Sequence, residues 1–318
     1  MRFQIPVPTI SILVPCYNIE KYIDAAMESL LSQTFTDFEI IALNDGSTDG
    51  TLEHLKRCEE RDSRVRIIDK PNSGYGATMN LGLDLARGRY LAILESDDIA
   101  TPDFLSANFQ LAEASGADAT FGRFMTFGEG MADEVSRSFK QFIGREDHPY
   151  IRSRLLRRSL AIWAGLYRRD WLLQQGIRFQ ETPGASFQDA SFTFKVRLNA
   201  RRRLHDTVLV HYRQHPNNSV KSTHKGVFLF KELDACKAAL KKARFSISPA
   251  AFLHYEFDSL KWYALILQGD ARKDFVKQWA QRWRTTPAPS LVYLRMRWTY
   301  EYITRYPDRF LQDLEPES

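Results

Sequence analysis

The chain has 318 residues, of which 44% are apolar, so it is long enough to bury the core of one large domain or of a domain with an appendage. That apolar content excludes a chain that is mainly disordered. The formal net charge is +5 at pH 7 and the sequence pI is near 9.0, which suggests an anionic partner but does not separate a nucleotide from a nucleic acid or an acidic membrane.

The cysteines are few, far apart and odd in number, at Cys16, Cys58 and Cys236. They indicate neither a disulfide framework nor a structural zinc site, and they favour a reducing compartment. No stretch approaches the roughly 18 consecutive apolar residues of a membrane span. The start of the chain lacks the long apolar middle of a signal peptide. We therefore expect a soluble, cytoplasmic protein.

Short apolar runs alternate with helical patterns over the first third of the chain. The runs that predict β-strands are 9–15, 38–44, 65–69, 90–95 and 117–122. The intervening stretches that predict helices are 20–32, 49–61, 77–86 and 101–115. This alternation predicts an α/β fold with a doubly wound, mostly parallel sheet that is covered on both faces.

The rest of the chain divides at about residue 224. Up to that point the pattern is less regular, with a basic helix predicted at 151–158 and a strand at 207–213. Beyond it the pattern is helical, and the predicted helices are 230–243, 249–268 and 272–283, followed by a break at 285–290. We therefore predict a domain of residues 1–224, with halves at about 9–124 and 125–224, and a helical C-terminal extension of residues 225–318.

Polar residues gather where the first four predicted strands end, at 15–18, 44–48, 69–72 and 95–98. Open α/β sheets bind their ligands at the carboxyl ends of their strands. The sequence therefore predicts a ligand site at this edge of the sheet.

Among these groups, the acidic cluster ESDD, residues 95–98, gives the most specific indication of a function. Asp98 and Thr101 can cap a helix that opens at Pro102, but capping uses only one of the three acids. Glu95 and Asp97 share one side of an extended segment. Because like charges at one strand end repel each other, we expect a hard divalent cation that bridges these oxygens to phosphate oxygens.

Three further motifs allow both a structural and a functional interpretation. LNDGSTDG, residues 43–50, is a turn with a helix cap at Ser47 or Asp49, or it offers Asp45 to the ring N–H of a base. KPNSGYGATMN, residues 70–80, is an ordinary helix entry, or its glycines let the backbone approach a ligand. In SFQDASF, Asp189 lies near a helix start, where a carboxylate is stabilised by the helix dipole whether or not it is catalytic.

In this order the motifs resemble those of the family-2 glycosyltransferases of GT-A fold, bacterial polysaccharide type, which transfer a sugar with inversion from a nucleotide diphosphate donor. The resemblance is close over residues 9–124 and continues more loosely through QDASF and YRQHPNNS to about residue 220. It implies a nucleotide-sugar donor, with UDP as the usual nucleotide, a glycan or lipid-linked acceptor, and Mn²⁺ or Mg²⁺ as cofactor.

The resemblance also implies a role for each candidate residue. Asp189 becomes the base that deprotonates the acceptor hydroxyl, and Asp97 becomes a metal ligand. His215 is the preferred further ligand, with His211 as the alternative. The implied nucleotide-binding residues are Pro15, Tyr17, Asn18, Glu20, Asp45, Lys70, Asn72, Gly74, Asn80, Glu95, Ser96 and Arg213. Within that set Asp45 would recognise the base, and Lys70 and Arg213 would offset the charge of the diphosphate.

Three positions differ from the usual pattern of the family. Asn44 replaces the Asp that more often precedes Asp45, and Glu95 replaces the first Asp of the metal-binding Asp-X-Asp. Gln188 replaces the Glu before Asp189, which removes a like charge and should lower the pKa of Asp189.

For the acceptor side, we expect Trp163 to pack on a sugar. The arginines of the basic helix form either a solvated face or a surface for an anionic acceptor or a membrane: Arg152, Arg154, Arg157 and Arg158. Trp262, Trp283 and Trp298 are expected in the core of the helical extension. That basic, aromatic-rich extension also offers a peripheral contact with the inner membrane.

Two other functions are compatible with such a fold. A nucleotidyltransferase would place a Gly-rich phosphate loop after the first strand, where this chain has PCYNIEKY. A protein that binds nucleotide sugars without catalysis would not need Asp189. Nucleic acid is not expected as a partner, because the sequence contains no known module that reads it.

Overall fold

The computed structural model describes residues 7–156, 160–215, 226–245, 247–284 and, near the end of the chain, 302, 303, 305, 309, 310 and 312. The predicted break at 285–290, Trp298, Arg157, Arg158 and the end of the YRQHPNNS motif lie outside the described residues.

Strands and helices alternate over the first part of the chain. In order they are β1 (Ile10–Cys16), α1 (Glu20–Leu31), β2 (Phe38–Asp45), α2 (Thr51–Arg61), β3 (Val65–Lys70), α3 (Tyr75–Leu85), β4 (Tyr90–Ile93), β5 (Ile99–Ala100) and α4 (Phe104–Ser115). The later elements are β6 (Ala119–Gly128), β7 (Glu134–Val135), α5 (Pro149–Leu155), a 3₁₀ turn (Ile162–Ala164), β8 (Gly165–Arg168), α6 (Arg169–Gln174), α7 (Gln188–Asn199), β9 (Arg202–Gln214), α8 (Gly226–Leu240), α9 (Pro249–Ile266) and α10 (Gly269–Arg284).

The described strands form one sheet in the order β3-β2-β1-β4-β8-β6-β9-β5, with β7 paired to β6. The four strands from β3 to β4 are parallel to one another, and β6 and β9 are also parallel. Every residue of β1, β2 and β4 is buried, which explains why these strands are nearly continuous apolar runs. The predicted α/β fold with a mostly parallel sheet is confirmed.

The segment after the acidic cluster differs from its prediction. Helix α4 begins at Phe104 rather than at Pro102, because Ile99 and Ala100 pair with β9 as the short strand β5. Asp98 does not cap the helix. Its buried carboxylate accepts a hydrogen bond of 2.8 Å from the backbone N–H of Arg213.

Strand β8 was missed by sequence reasoning. It has four residues, and it pairs antiparallel with both β4 and β6 in the middle of the sheet. Strand β6 was predicted to end at 122 but continues to Gly128, since β9 pairs with it over its whole length. The two halves of the sheet are therefore joined by strands whose patterns are short or irregular.

The predicted basic helix, α5, does not present all of its arginines to solvent. Arg152 is 2% exposed, donates to Asp147 at 2.8 Å and to the carbonyl of Ala200 at 3.0 Å, and is therefore a packing residue. Arg154 is exposed. Of the described arginines of this helix, only Arg154 fits the predicted solvated face or anion-binding surface.

The C-terminal region is helical, as predicted, and its helices pack against α7. Phe187, just before α7, belongs to a hydrophobic cluster that is otherwise built from C-terminal residues such as Tyr263 and Trp283. A second cluster joins Phe194 of α7 to Phe252 of α9. The division of the chain at residue 224 stays a prediction, but apolar packing crosses it.

Two of the three tryptophans predicted in this core can be located. Trp283 is 1% exposed, as expected, whereas Trp262 is 49% exposed. Helix α9 directs Leu260, Tyr263 and Ala264 into the hydrophobic cluster of the C-terminal region. Trp262 lies on another side of this helix and is therefore outside the cluster.

Cys16, Cys58 and Cys236 are buried free thiols. In the part of the chain that the structure describes, no helix has both the length and the apolar character to cross a membrane.

Candidate active site

A cleft of about 1500 Å³ opens at the carboxyl ends of β1, β2 and β4 and reaches the start of α7. The predicted site residues that line it are Pro15, Tyr17, Asn18, Glu20, Asp45, Asn72, Gly74, Glu95, Ser96, Asp97, Asp189 and His215. Three predicted residues do not line it, namely Lys70, Asn80 and Arg213. The sheet thus gathers most of the predicted set into one space.

Lys70 contacts Asp45. Its ammonium group pairs with the Asp45 carboxylate and donates to the hydroxyl of Ser73 at 2.6 Å. Asp45 also accepts hydrogen bonds from the backbone N–H groups of Ser73 and Gly74, at 2.9 and 3.0 Å. Burial acts to raise the pKa of Asp45, but the hydrogen bonds from Lys70 and Ser73 outweigh it and hold the pKa below its usual range. In this geometry Lys70 holds the Asp45 carboxylate and the loop that contains Ser73 in place.

Asn80 connects α3 to the segment before α7. Its amide donates to the carboxylate of Glu181 at 2.9 Å and to the carbonyl of Phe179 at 3.2 Å, and it accepts from the N–H of Phe179 at 3.0 Å. A side chain with these buried partners is a structural link, so the geometry does not support a direct donor contact for Asn80.

Arg213 supplies positive charge at the acidic cluster. Its Nε donates to the carbonyl oxygen of Asp97 at 2.9 Å, and its guanidinium lies 5.0 Å from the ring centroid of Tyr22 and 4.6 Å from that of Phe127. The repulsion expected among residues 95–98 is thus relieved in part by a protein cation from β9.

Asp97 and His215 lie together in the cleft, with 2.9 Å between Asp97 Oδ2 and His215 Nε2. His211, the alternative, lies on β9 with its ring 6.2 Å from that of Phe127 and does not line the cleft. Among the described residues, no three His, Cys, Asp or Glu side chains are grouped so that they could hold a metal ion. A carboxylate and an imidazole suit Mn²⁺, but the protein pair alone would leave most coordination positions to other oxygens.

Glu95 is bound to Tyr75, a residue that sequence reasoning missed. The Tyr75 hydroxyl donates to Glu95 Oε1 at 2.7 Å. Burial raises the pKa of Glu95 to about 8, with added repulsion from Asp97 and Asp189, although the hydrogen bond from Tyr75 opposes this. Glu95 and Asp97 both line the cleft, but Glu95 accepts a hydrogen bond from Tyr75 whereas Asp97 contacts His215.

Asp189 is the second residue of α7 and is exposed to the cleft. Protein walls replace much of the bulk water there, and this desolvation raises the pKa of Asp189 despite nearby backbone N–H groups and the charge of Arg197. Gln188 is buried, and its amide donates to the Thr182 hydroxyl at 2.9 Å and to the Gly184 carbonyl at 3.1 Å. The absence of a like charge at Gln188 thus does not prevent desolvation in the cleft from raising the pKa of Asp189.

The segment before α7 packs closely on the start of α3. The N–H of Tyr75 donates to the carbonyl of Gly184 at 3.0 Å, and a Cβ added to Gly76 would overlap the carbonyl oxygen of Gln180. The glycines of the GYG sequence at 74–76 are the sequence signal for this contact, because glycine lets two backbones approach each other closely.

An aromatic wall closes another side of the cleft. Trp163 stacks on Tyr212, with ring centroids 5.0 Å apart, and meets Phe124 edge to face at 4.9 Å. All three side chains line the cleft, so Trp163 lies where the sequence placed it; its contact with a sugar stays a prediction.

Solved structures share this architecture. TarS 1–349 of S. aureus, solved in complex with UDP-GlcNAc, matches with a TM-score of 0.75 and 20% identity, over 96% of this chain and 90% of that chain. The mannosyltransferase PcManGT of Pyrobaculum calidifontis, in complex with GDP-Man and Mn²⁺, matches with a TM-score of 0.53 and 17% identity, over 98% and 89% of the two chains. The fold is that of the GT-A glycosyltransferases.

The family model "Glycosyl transferase family 2" matches residues 11–174, which is about half of the chain. The chain belongs to this family. The putative glycosyltransferase EpsH of Bacillus subtilis (strain 168) is 30% identical over 233 residues, which cover 70% of this chain and 65% of EpsH. The chain thus matches a little under two thirds of the length of that relative.

Proposed function

We propose that the protein is an inverting glycosyltransferase. It transfers a sugar from a nucleotide diphosphate donor, a UDP-sugar, to a hydroxyl of a glycan or lipid-linked acceptor in bacterial surface polysaccharide synthesis. The observation that carries the proposal is that Asp45, Asp97 and Asp189 line one cleft at the carboxyl edge of the sheet. UDP-GlcNAc bound to TarS and GDP-Man bound to PcManGT support a nucleotide-sugar donor.

The loops after β1 and β2 offer groups for the nucleoside. Tyr17 is 53% exposed and lies in the cleft. Asn18 has a φ of +50°, and it is held there by hydrogen bonds of 3.0 Å from its N–H to the hydroxyl of Ser47 and of 2.8 Å from the N–H of Thr48 to its side-chain oxygen. A loop fixed in this way keeps Tyr17 and Asp45, at the carboxyl ends of the neighbouring strands β1 and β2, ready for a base and ribose.

Asp97 and His215 would hold the Mn²⁺ or Mg²⁺ ion. The donor set fits such an ion only if the diphosphate oxygens complete the coordination, because the described residues supply no third protein ligand nearby. When bound, the ion neutralises the diphosphate and makes it a better leaving group. Mn²⁺ in the PcManGT complex supports this cofactor.

Asp189 accepts the proton of the acceptor hydroxyl while the oxygen of that hydroxyl attacks the anomeric carbon of the donor sugar. The nucleoside diphosphate leaves from the opposite face, so the configuration inverts and no covalent sugar intermediate forms. The raised pKa of Asp189 favours this role, since a base works best when its pKa is near the working pH.

The two alternatives receive less support. A nucleotidyltransferase needs a glycine-rich phosphate loop after β1, and the chain there reads YNIEKY. A non-catalytic binding protein would not need Asp189 in the cleft. We propose a cytoplasmic setting at the inner face of the membrane, where a lipid-linked acceptor would be reached.

The test is donor turnover. The protein is incubated with a panel of nucleotide sugars, Mn²⁺ and candidate acceptors, and released nucleoside diphosphate is measured. Asp189→Asn should lower transfer by roughly 100-fold or more while nucleotide binding is kept. Asp270→Asn is the matched control, since Asp270 also lies in a first helical turn but is exposed outside the cleft. Full activity of Asp189→Asn would remove the assigned base, and EDTA should abolish the turnover of the wild type.

A further inference from the structure

Helix α9 of the C-terminal region presents one face to the cleft. The side chains on that face are Tyr255, Asp258, Ser259 and Trp262, and all of them line the same cleft as Asp189. Their spacing of three, four and seven residues places them on one side of a helix. The other side of α9 is buried, with Leu260 and Tyr263 at 0% exposure. The helix thus has a packed face and a face with aromatic and polar groups that line the cleft.

Trp262 is positioned close to the residue that leads into α7. Its ring meets the ring of Phe187 edge to face, with centroids 6.4 Å apart. Phe187 has a φ of +63°, a conformation that is costly for a bulky side chain, and it directly precedes Gln188 and Asp189. A ligand that stacks on the exposed ring of Trp262 would therefore lie beside the start of α7.

The face of α9 has the chemistry of a sugar site. Ligand pockets combine aromatic surfaces with a few polar groups that fix orientation. Trp262 offers a large flat ring of which about half is exposed, and Asp258 and Ser259 offer a carboxylate and a hydroxyl one turn away. The apolar face of a pyranose would cover the ring, and its hydroxyl groups would donate to Asp258.

The charges of the cleft disfavour an anionic ligand at this end. On α7 and α9, the two helices that line this end, the acidic lining residues are Asp189 and Asp258 and the cationic lining residue is Arg197. The guanidinium of Arg197 donates to the carbonyls of Leu156 and Leu160 at 3.2 and 2.8 Å and is buried. A second negative group beside Asp258 would meet repulsion with little compensation from the described residues.

We infer that the Trp262 face of α9 is an acceptor subsite for a neutral saccharide, which stacks on Trp262 and donates hydrogen bonds to Asp258. The inference rests on the proposed function, because it is Asp189 that makes this end of the cleft the acceptor end. It assigns to the C-terminal helices a direct part in substrate recognition, beyond their packing.

The test is glycoside binding, measured by saturation-transfer NMR in the presence of UDP and Mg²⁺. The probes are methyl β-glucoside, methyl β-galactoside and methyl N-acetyl-β-glucosaminide, with methyl β-glucuronide as the anionic probe. Wild type should bind at least one neutral glycoside, and Trp262→Ala should weaken that binding about fivefold to tenfold. Trp262→Phe should restore part of it, and Asp258→Asn should weaken it with the ring intact.

Leu265→Ala is the matched control, because Leu265 lies on the same helix with a similar exposure of 47% but does not line the cleft. UDP binding, measured by calorimetry, should be the same in every variant as in wild type. That result would show that the donor side of the cleft is intact. Equal glycoside binding by Trp262→Ala and Leu265→Ala would overturn the inference, and so would preference of wild type for the glucuronide or failure to bind any neutral glycoside.

The binding readout separates this inference from the proposed function. A protein that turns over no nucleotide sugar, yet loses glycoside binding in Trp262→Ala, would contradict the proposed activity and keep Trp262 as part of a saccharide-binding site without its acceptor role. A protein that transfers sugar with the same acceptor KM in Trp262→Ala would keep the activity and contradict the subsite.

Discussion

The buried carboxylate of Glu232 on α8 accepts a hydrogen bond of 2.9 Å from the backbone N–H of Ser191 on α7. Ser191 lies in the first turn of α7, where backbone N–H groups depend on partners from outside the helix. Asp189 belongs to the same turn. A C-terminal helix therefore fixes the end of the helix that carries the proposed base.

The first prediction concerns pH-dependent stability. Burial raises the pKa of Glu232 to about 7, helped by the charge of Asp189 and opposed by Ser191 and Lys195. A carboxyl group whose pKa is raised by folding stabilises the fold fully below its unfolded pKa, and this contribution is lost as the pH rises through 7. The free energy of unfolding of wild type, minus that of Glu232→Gln, should therefore fall between pH 5 and pH 8 by on the order of 2 kcal/mol.

Urea unfolding at pH 5, 6, 7 and 8 measures this difference. Glu129→Gln serves as the control, because Glu129 is exposed on the surface. A difference between wild type and Glu232→Gln that stays constant with pH would contradict the prediction.

The second prediction concerns the pH dependence of catalysis. Desolvation in the cleft raises the pKa of Asp189. The fall of kcat/KM toward acidic pH should therefore be centred above the ordinary aspartate pKa of about 3.9. Arg197 lowers the pKa of Asp189, whereas the charge of Asp189 raises the pKa of Glu95 and of Glu232. Because Glu232, with a pKa of about 7, is protonated where Asp189 titrates, Glu232→Gln should leave this acidic limb in place.

Initial rates of nucleotide diphosphate release between pH 4.5 and 8 test this prediction. A variant that only loosened α7 would lower the rate without moving the limb. An acidic limb at or below pH 4 in wild type, or a limb that moves in Glu232→Gln, would contradict this prediction.

The third prediction concerns the division of the chain at residue 224. A chain ending there loses Glu232 and the C-terminal partners of Phe187 and Phe194. Exposure of these apolar surfaces and of an unpaired N–H in α7 should leave residues 1–224 poorly soluble or without a cooperative transition. Circular dichroism and thermal unfolding, with the full chain as reference, measure this. A cooperative unfolding transition together with UDP binding by the 1–224 chain would show that the prediction is wrong.

The fourth prediction concerns the contact between α3 and the segment before α7. In Gly76→Ala the new Cβ would overlap the carbonyl oxygen of Gln180 and lie 2.8 Å from its carbonyl carbon, so one backbone must move. The variant should lose about 2 kcal/mol of unfolding free energy, although alanine is the better helix former. Ala77→Ser, one position along the same helix, should change stability by less. Equal stability of the two variants would mean that the two backbones can separate without cost.

Sequence reasoning found the elements whose signal is local. The alternation of apolar runs with helical patterns predicted the β1–β4 half of the sheet, and the acidic cluster at 95–98 marked the cleft. It placed Asp97 and His215 as a pair, and they lie 2.9 Å apart. It missed β8, since four residues carry no periodicity, and it misplaced the start of α4, since β5 forms only against β9.

The sequence by itself determined the fold class and the family, because both depend on patterns and motifs that neighbouring residues carry along the chain. The tertiary structure alone decided which partner each polar group meets. Lys70 pairs with Asp45, and Arg213 binds the backbone at Asp97. Only the structure showed that Trp262 faces the cleft. These relationships join segments that are distant in the chain, and their geometry is set by strand register and helix packing, which no local pattern encodes.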